Sequence, residues 1–95
     1  MEHFEFDPEK SRLNEERHGV NLNWAMRLWD ENHVIIPAKN VSGEGRHLIL
    51  AKFEGKCYAA IFTKRREAIR LISCHRADRR LERIYEDHIQ SQEDE

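Results

Sequence analysis

The strongest constraint on the fold lies between Arg46 and Cys74. Three strand-length apolar segments, Arg46–Phe53, Lys56–Lys64 and Glu67–Cys74, follow one another almost without a break. Gaps this short leave room only for hairpins, so the three form an antiparallel meander. Glu54-Gly55-Lys56 closes the first hairpin. Arg65-Arg66 closes the second, without the Asn-Gly or Asp-Gly chemistry that pins a register. With Gly55 central in the first turn, Ala51 faces Ala59 and His47 faces Thr63. With Arg65-Arg66 as a two-residue loop, Phe62 faces Ile69 and Cys57 comes opposite Cys74. One face then carries Leu48, Leu50, Tyr58, Ala60, Phe62, Ile69 and Leu71. The other carries Ile49, Phe53, Cys57, Ile61, Ile72 and Cys74, with His47, Thr63 and Arg70 polar among them.

The flanks supply helices. Asp7-Pro8-Glu9 is a helix start, an acidic N-cap followed by a proline whose missing N–H costs nothing there. That helix is expected to end at His18, with Gly19 as its left-handed cap and His18 complementing the dipole at its C-terminal end. Asn21 or Asn23 caps a second helix whose apolar face is Trp24, Ala25, Leu28 and Trp29. Glu2–Phe6 alternates as a short edge strand, and Val34-Ile35-Ile36 is a short strand stopped by Pro37. Residues 39–45 have the composition of a loop. Asp78 caps a last helix with Leu81, Ile84 and Tyr85 on its apolar face, and Gln90–Glu95 reads as a polar tail. The expectation is one α+β domain over residues 1–89, in the order β-α-α-β-β-β-β-α. The N-terminal helices cover one face of the sheet, and the last helix partly covers the other.

Composition narrows the function. With 95 residues and 39% hydrophobic content, the chain supports one small core. No apolar run approaches the roughly 20 residues of a membrane span, and the N-terminus lacks a signal-peptide pattern, so a cytoplasmic protein is expected. Cys57 and Cys74 form no CxxC pair and are read as reduced and buried. The six histidines, at 3, 18, 33, 47, 75 and 88, show no metal-ligand spacing. No metal and no cofactor are expected.

Charge is unevenly placed. Between Lys64 and Arg83 there are eight Lys or Arg against three acids, a net of +5 in a chain whose net charge is −2. That is the footprint of a phosphate-binding face. Glu2–Glu16 and Glu86–Glu95 are acidic in compensation. They solvate the surface or dock a basic segment of a partner.

The ordered motifs resemble a known family. Phe6-Asp7-x-x-Lys10-x-x-x-Asn14-x-x-Arg17-His18-Gly19-Val20 is similar to the opening signature of the BrnT toxin family. Arg46 before an apolar strand, Thr63-x-Arg65 and Arg70-Leu71-Ile72-Ser73-x-x-x-Ala77 continue the pattern in order, from about Phe4 to Glu86. The resemblance implies a RelE-like fold, two N-terminal helices packed on an antiparallel sheet with a C-terminal helix. It implies a ribonuclease toxin of a type II toxin–antitoxin system that inhibits translation. The implied partner is a BrnA-type antitoxin, which neutralises the toxin and itself binds DNA. The chain departs from the family at Ser73-Cys74-His75-Arg76-Ala77-Asp78, where Ser-Ala-Arg-Lys-Ala-Ser/Thr is usual.

RNA cleavage without a metal needs a base for the 2′-hydroxyl, stabilisation of the pentavalent phosphate, and a protonated leaving oxygen. Arg65, His75 and Arg76 are the catalytic candidates. The arginines offer forked donors, and the imidazole an acid or base near neutral pH. Arg46, Lys64, Arg79 and Arg80 are candidates for binding RNA phosphates. Lys64–Arg66 and His75–Arg80 lie at opposite ends of the last strand, so one pocket requires a strongly curled sheet. Trp24 and Trp29 read as core, with base stacking the alternative. The competing function is a noncatalytic, partner-binding relative of such toxins. Direct DNA binding ranks last, because no DNA-reading motif is evident.

Overall fold

Local signals set the N-terminal elements. In the computed structural model, which describes residues 3–41 and 44–93, Asp7 is extended and its carboxylate accepts from Glu9 N at 2.9 Å. Helix α1 runs Pro8–His18 and ends at Gly19, which takes φ 80° and donates to Glu15 O. Asn21 caps the next element, accepting from Trp24 N at 2.7 Å. That element is one α-turn, α2 (Leu22–Ala25), continuing as a 3₁₀ segment over Met26–Asp30. The expected second helix is therefore reduced. Its fully buried residues are Leu22, Ala25 and Leu28. A spacing of three suits three residues per turn, whereas Trp24 and Trp29 are only partly buried.

Five strands form one sheet in the order β1-β5-β4-β3-β2. They are β1 (His3–Glu5), β2 (His33–Val41), β3 (Glu44–Phe53), β4 (Lys56–Arg65) and β5 (Ala68–Arg76). The sheet is mixed rather than antiparallel, because β1 pairs in parallel with β5. Pro37 does not stop β2, which continues to Val41. An edge strand tolerates a residue that lacks a ladder donor on its unpaired side. The expected loop over residues 39–45 is thus mostly strand, with Ser42 and Gly43 outside the described residues. Glu2, expected to begin β1, is likewise outside them.

Both hairpins differ from expectation. The first turn is Glu54-Gly55 alone, with φ of 52° and 81°, and Phe53 opposes Lys56. Positive φ at both central residues matches the right-handed twist of the strands. Ala51 therefore opposes Tyr58, and Arg46 opposes Thr63. A slip of one residue turns β3 over relative to β4. Leu50 joins Cys57 and Ala59, while Ile49 and Ala51 join Ala60 and Phe62. The second turn is Arg66-Glu67, with Arg66 at φ 55° and Arg65 opposing Ala68. Phe62 opposes Leu71, not Ile69, and a bulge follows before Ser73. Cys57 and Cys74 are not opposite: Cys57 pairs with Lys52, and Cys74 with Ala60. They sit on opposite faces, both as free thiols.

Two apolar layers result. Leu22, Ala25 and Leu28 pack on Ile49, Ala51, Ala60, Phe62, Ile69, Leu71 and Cys74. On the other face, Leu81 and Tyr85 of α3 (Arg79–Glu93) pack on Val34, Leu50, Cys57 and Ala59. Asp78 caps α3 as expected, accepting from Leu81 N at 2.9 Å. The helix continues to Glu93, through the segment expected to be a polar tail. Among the described residues, no helix is long and apolar enough to cross a membrane. Asn14 of α1 closes the β5 edge beyond β1. Its amide donates to Cys74 O at 2.8 Å and accepts from Cys74 N at 3.0 Å.

Candidate nucleic-acid interface

Register decides which charged side chains meet. Alternation places Cys57, Ala59, Ile61, Thr63 and Arg65 of β4 on the α3 face. Helix α3 packs chiefly over β2 and β3. The stretch of this face from Ile61 to Arg65 and from Ala68 to Ser73 is lined by polar and charged side chains. One row across it reads Arg46, Thr63, Arg70, Glu5 on β3, β4, β5 and β1. Beside it, Arg65 Nε donates to Glu44 Oε1 at 3.0 Å. Towards the other end of the sheet follow the rows Leu48–Ile61–Ser73 and Leu50–Ala59–His75. Arg46, Arg65 and Arg70 thus surround Thr63 on one face.

Thr63 is fully buried beneath these long side chains. Among the described residues, its Oγ1 and the Nε of Arg46 are shielded from solvent and make no hydrogen bond. Such orphaned groups are uncommon, since each loses its hydration without compensation. Arg70 is lightly held, with Nη1 3.7 Å from Glu5 Oε1. The Arg65 guanidinium holds the Glu44 carboxyl below its usual range, against a smaller opposing effect of burial; the Thr63 hydroxyl and Arg46 lie close enough to reinforce it. That hydroxyl nonetheless completes no hydrogen bond to the carboxylate. The set is three forked cations around a free hydroxyl, with one carboxylate kept ionised. It suits a bound phosphodiester. A third orphaned atom, His47 Nδ1, belongs to the opposite face, where the ring stacks on Phe62 at 5.4 Å.

The remaining sequence candidates lie elsewhere. Lys64 points to the α1 face and lines a cavity of about 410 Å³ with Phe4, Trp29, Phe62 and Ile69. His75 shares the arginine face but lies five residues past Arg70, roughly 15 Å along the strand. Its Nδ1 is 2.7 Å from Arg76 O, a carbonyl that can only accept, so that nitrogen donates. The His18 ring is 5.7 Å away. Arg76 belongs to the other face, its guanidinium 5.8 Å from the Tyr58 ring centroid. Arg79 and Arg80 are exposed in the first turn of α3.

Arg65 opposes Ala68, and Arg76 lies eight residues beyond Ala68, roughly 27 Å away along β5. The sheet does not bring Arg65 and Arg76 into one pocket. It does bring Arg65 to Arg46, and adds Arg70, Thr63 and Glu44, which sequence reasoning did not select. The sequence places Thr63 and Arg70 on one face, but their direct pairing, and that of Arg46 rather than His47 with Thr63, depends on registers that no turn motif specified. Among the described residues, no group of three or more His, Cys, Asp or Glu could hold a metal ion.

Comparison with known proteins addresses the same stretch of chain. No curated protein matches this sequence. Residues 6–80, which include the cap of α1, the whole of β3 to β5 and every arginine of the cluster, match a family model described as ribonuclease toxin, BrnT, of type II toxin–antitoxin system. A cationic sheet face with unsatisfied buried donors is in keeping with that description, and the chain belongs to the BrnT toxin family.

Proposed function

We propose that this protein is an endoribonuclease toxin whose scissile phosphodiester binds over Thr63, between Arg46, Arg65 and Arg70. The supporting observation is the pair of buried, unpartnered groups, Arg46 Nε and Thr63 Oγ1, inside a ring of arginines. A phosphate oxygen would supply both with acceptors. Cleavage proceeds by attack of the 2′-oxygen on phosphorus as the bond to the 5′-oxygen breaks. Glu44, ionised and beside Arg65, takes the 2′-hydroxyl proton, and the leaving oxygen is protonated from solvent. The arginines stabilise the extra charge on the pentavalent phosphate. The reaction needs no metal. The fold is RelE-like, the protein acts in the cytoplasm to inhibit translation, and a BrnA-type antitoxin holds it inactive.

His75 and Arg76 lie too far along β5 to share that phosphate, and we assign them to the flanking RNA. The test is cleavage of a labelled RNA by purified protein in EDTA. Wild-type protein is expected to cut it, and Arg46→Ala to cut at least tenfold more slowly. Absence of cleavage, with no growth arrest on expression, would overturn the function. It would favour the noncatalytic partner-binding reading, which the departures at His75, Arg76 and Asp78 support.

A further inference from the structure

Five elements converge at the end of the sheet opposite the arginine cluster. Trp24 of α2 stands 4.6 Å from Tyr58 of β4 and 5.5 Å from Phe53 of β3, each pair edge to face. Arg27 of the 3₁₀ segment lies 5.5 Å from the Phe53 centroid, and Arg76 of β5 caps Tyr58. All three rings are partly exposed, and both arginines are exposed. A patch serving only as core would be covered by apolar side chains. Here the cover is two guanidiniums, which leave their charge in solvent. Aromatic rings with flanking cations are the chemistry that stacks nucleobases while holding their phosphates.

The patch lies on the opposite face of the sheet from the phosphate seat, and β5 runs from one to the other. Arg70, Ser73 and His75 step along β5 on the α3 face, and Arg76 turns the strand end onto the ring face. We propose that Trp24, Phe53 and Tyr58, with Arg27 and Arg76, form a second RNA subsite. It stacks an unpaired base of the single-stranded substrate a few nucleotides from the scissile phosphate. This rests on the reading of the substrate as RNA, and only its spacing from the scissile phosphate rests on the catalytic assignment. It gives the two halves of the basic run separate tasks along one strand of RNA.

The test uses binding alone. In Trp29→Phe protein, Trp24 is the sole tryptophan reporter. The probe is a 2′-O-methyl octanucleotide, which lacks the attacking hydroxyl and cannot be cleaved. The expected result is quenching of Trp24 fluorescence on titration. The exposed pair Arg27→Ala/Arg76→Ala should raise Kd about tenfold, and Trp24→Leu by 5- to 100-fold. A duplex of the same sequence, whose base faces are hidden, should not quench. Absence of quenching by the single strand, as for a patch that faces only a protein partner, would overturn the subsite. So would a change below twofold in the arginine variant, or equal quenching by the duplex. If Arg46→Ala leaves cleavage intact while these shifts appear, the catalytic reading fails and the subsite stands.

Discussion

Thr63 and Asn14 are both buried polar residues, and their surroundings assign them different work. Asn14 is satisfied: it bonds both backbone groups of Cys74 and donates to Val20 O at 2.7 Å. Removing it strands a strand-edge donor and acceptor. Asn14→Ala is expected to lower unfolding free energy by about 2–4 kcal/mol, read by urea denaturation. Thr63 completes no hydrogen bond among the described residues, and the phosphodiester proposed above would satisfy it. The cysteines are inert by the same residue-level logic. Burial, helped by Glu82, pushes the Cys57 thiol up to about 11, and burial pushes Cys74 to about 12, from a usual 9.0. Neither should react with a thiol reagent at pH 8 until the protein unfolds. Both values are raised in the folded state. Their stabilising contribution is therefore complete below pH 9 and lost as pH rises through 11 to 12. Cys57→Ala/Cys74→Ala should flatten that alkaline decline in the urea midpoint.

At the scale of elements, what was legible was local. Asp7, Pro8 and Gly19 delimited α1, and Asp78 opened α3, because a cap is a contact within one turn of helix. Registers were not legible. Glu54-Gly55 and Glu54-Gly55-Lys56 are equally reasonable turns on paper, yet they put Leu50 on opposite faces of the sheet. The bulge before Ser73 has no proline or glycine to announce it. The two turn registers are why Arg46 and Arg65 could be selected for charge, while the pairing of Thr63 with Arg46 and Arg70 could not be foreseen. The first turn offers a direct check. Glu54 carries a side chain at φ 52°, where asparagine is more at ease. Glu54→Asn should stabilise by about 0.5–1 kcal/mol in the same denaturation assay. Gly55→Ala, at φ 81°, should destabilise by about 1 kcal/mol or more.

The whole molecule is a sheet with one helical layer on each face, and the proposed function rests on what α3 leaves uncovered. The three arginines share the open half of that face because the turns at Glu54-Gly55 and Arg66-Glu67 bring Arg46, Thr63 and Arg70 of three strands into a single row, with Arg65 beside it. Glu44 should give activity an acidic limb. Arg65 holds its carboxyl below the usual 4.5, so the base stays ionised and cleavage should persist as pH falls to that value, failing only below it. Glu44→Gln should abolish this limb and slow cleavage across the range. The most direct measurement is single-turnover cleavage of an end-labelled RNA in EDTA by Arg70→Ala protein with a wild-type melting curve. Arg70 joins the cluster only through the register of the sheet. The rate is predicted to fall 10- to 1000-fold, as for loss of one donor to a transition-state oxygen. Cleavage by Arg70→Ala at the wild-type rate would contradict the site.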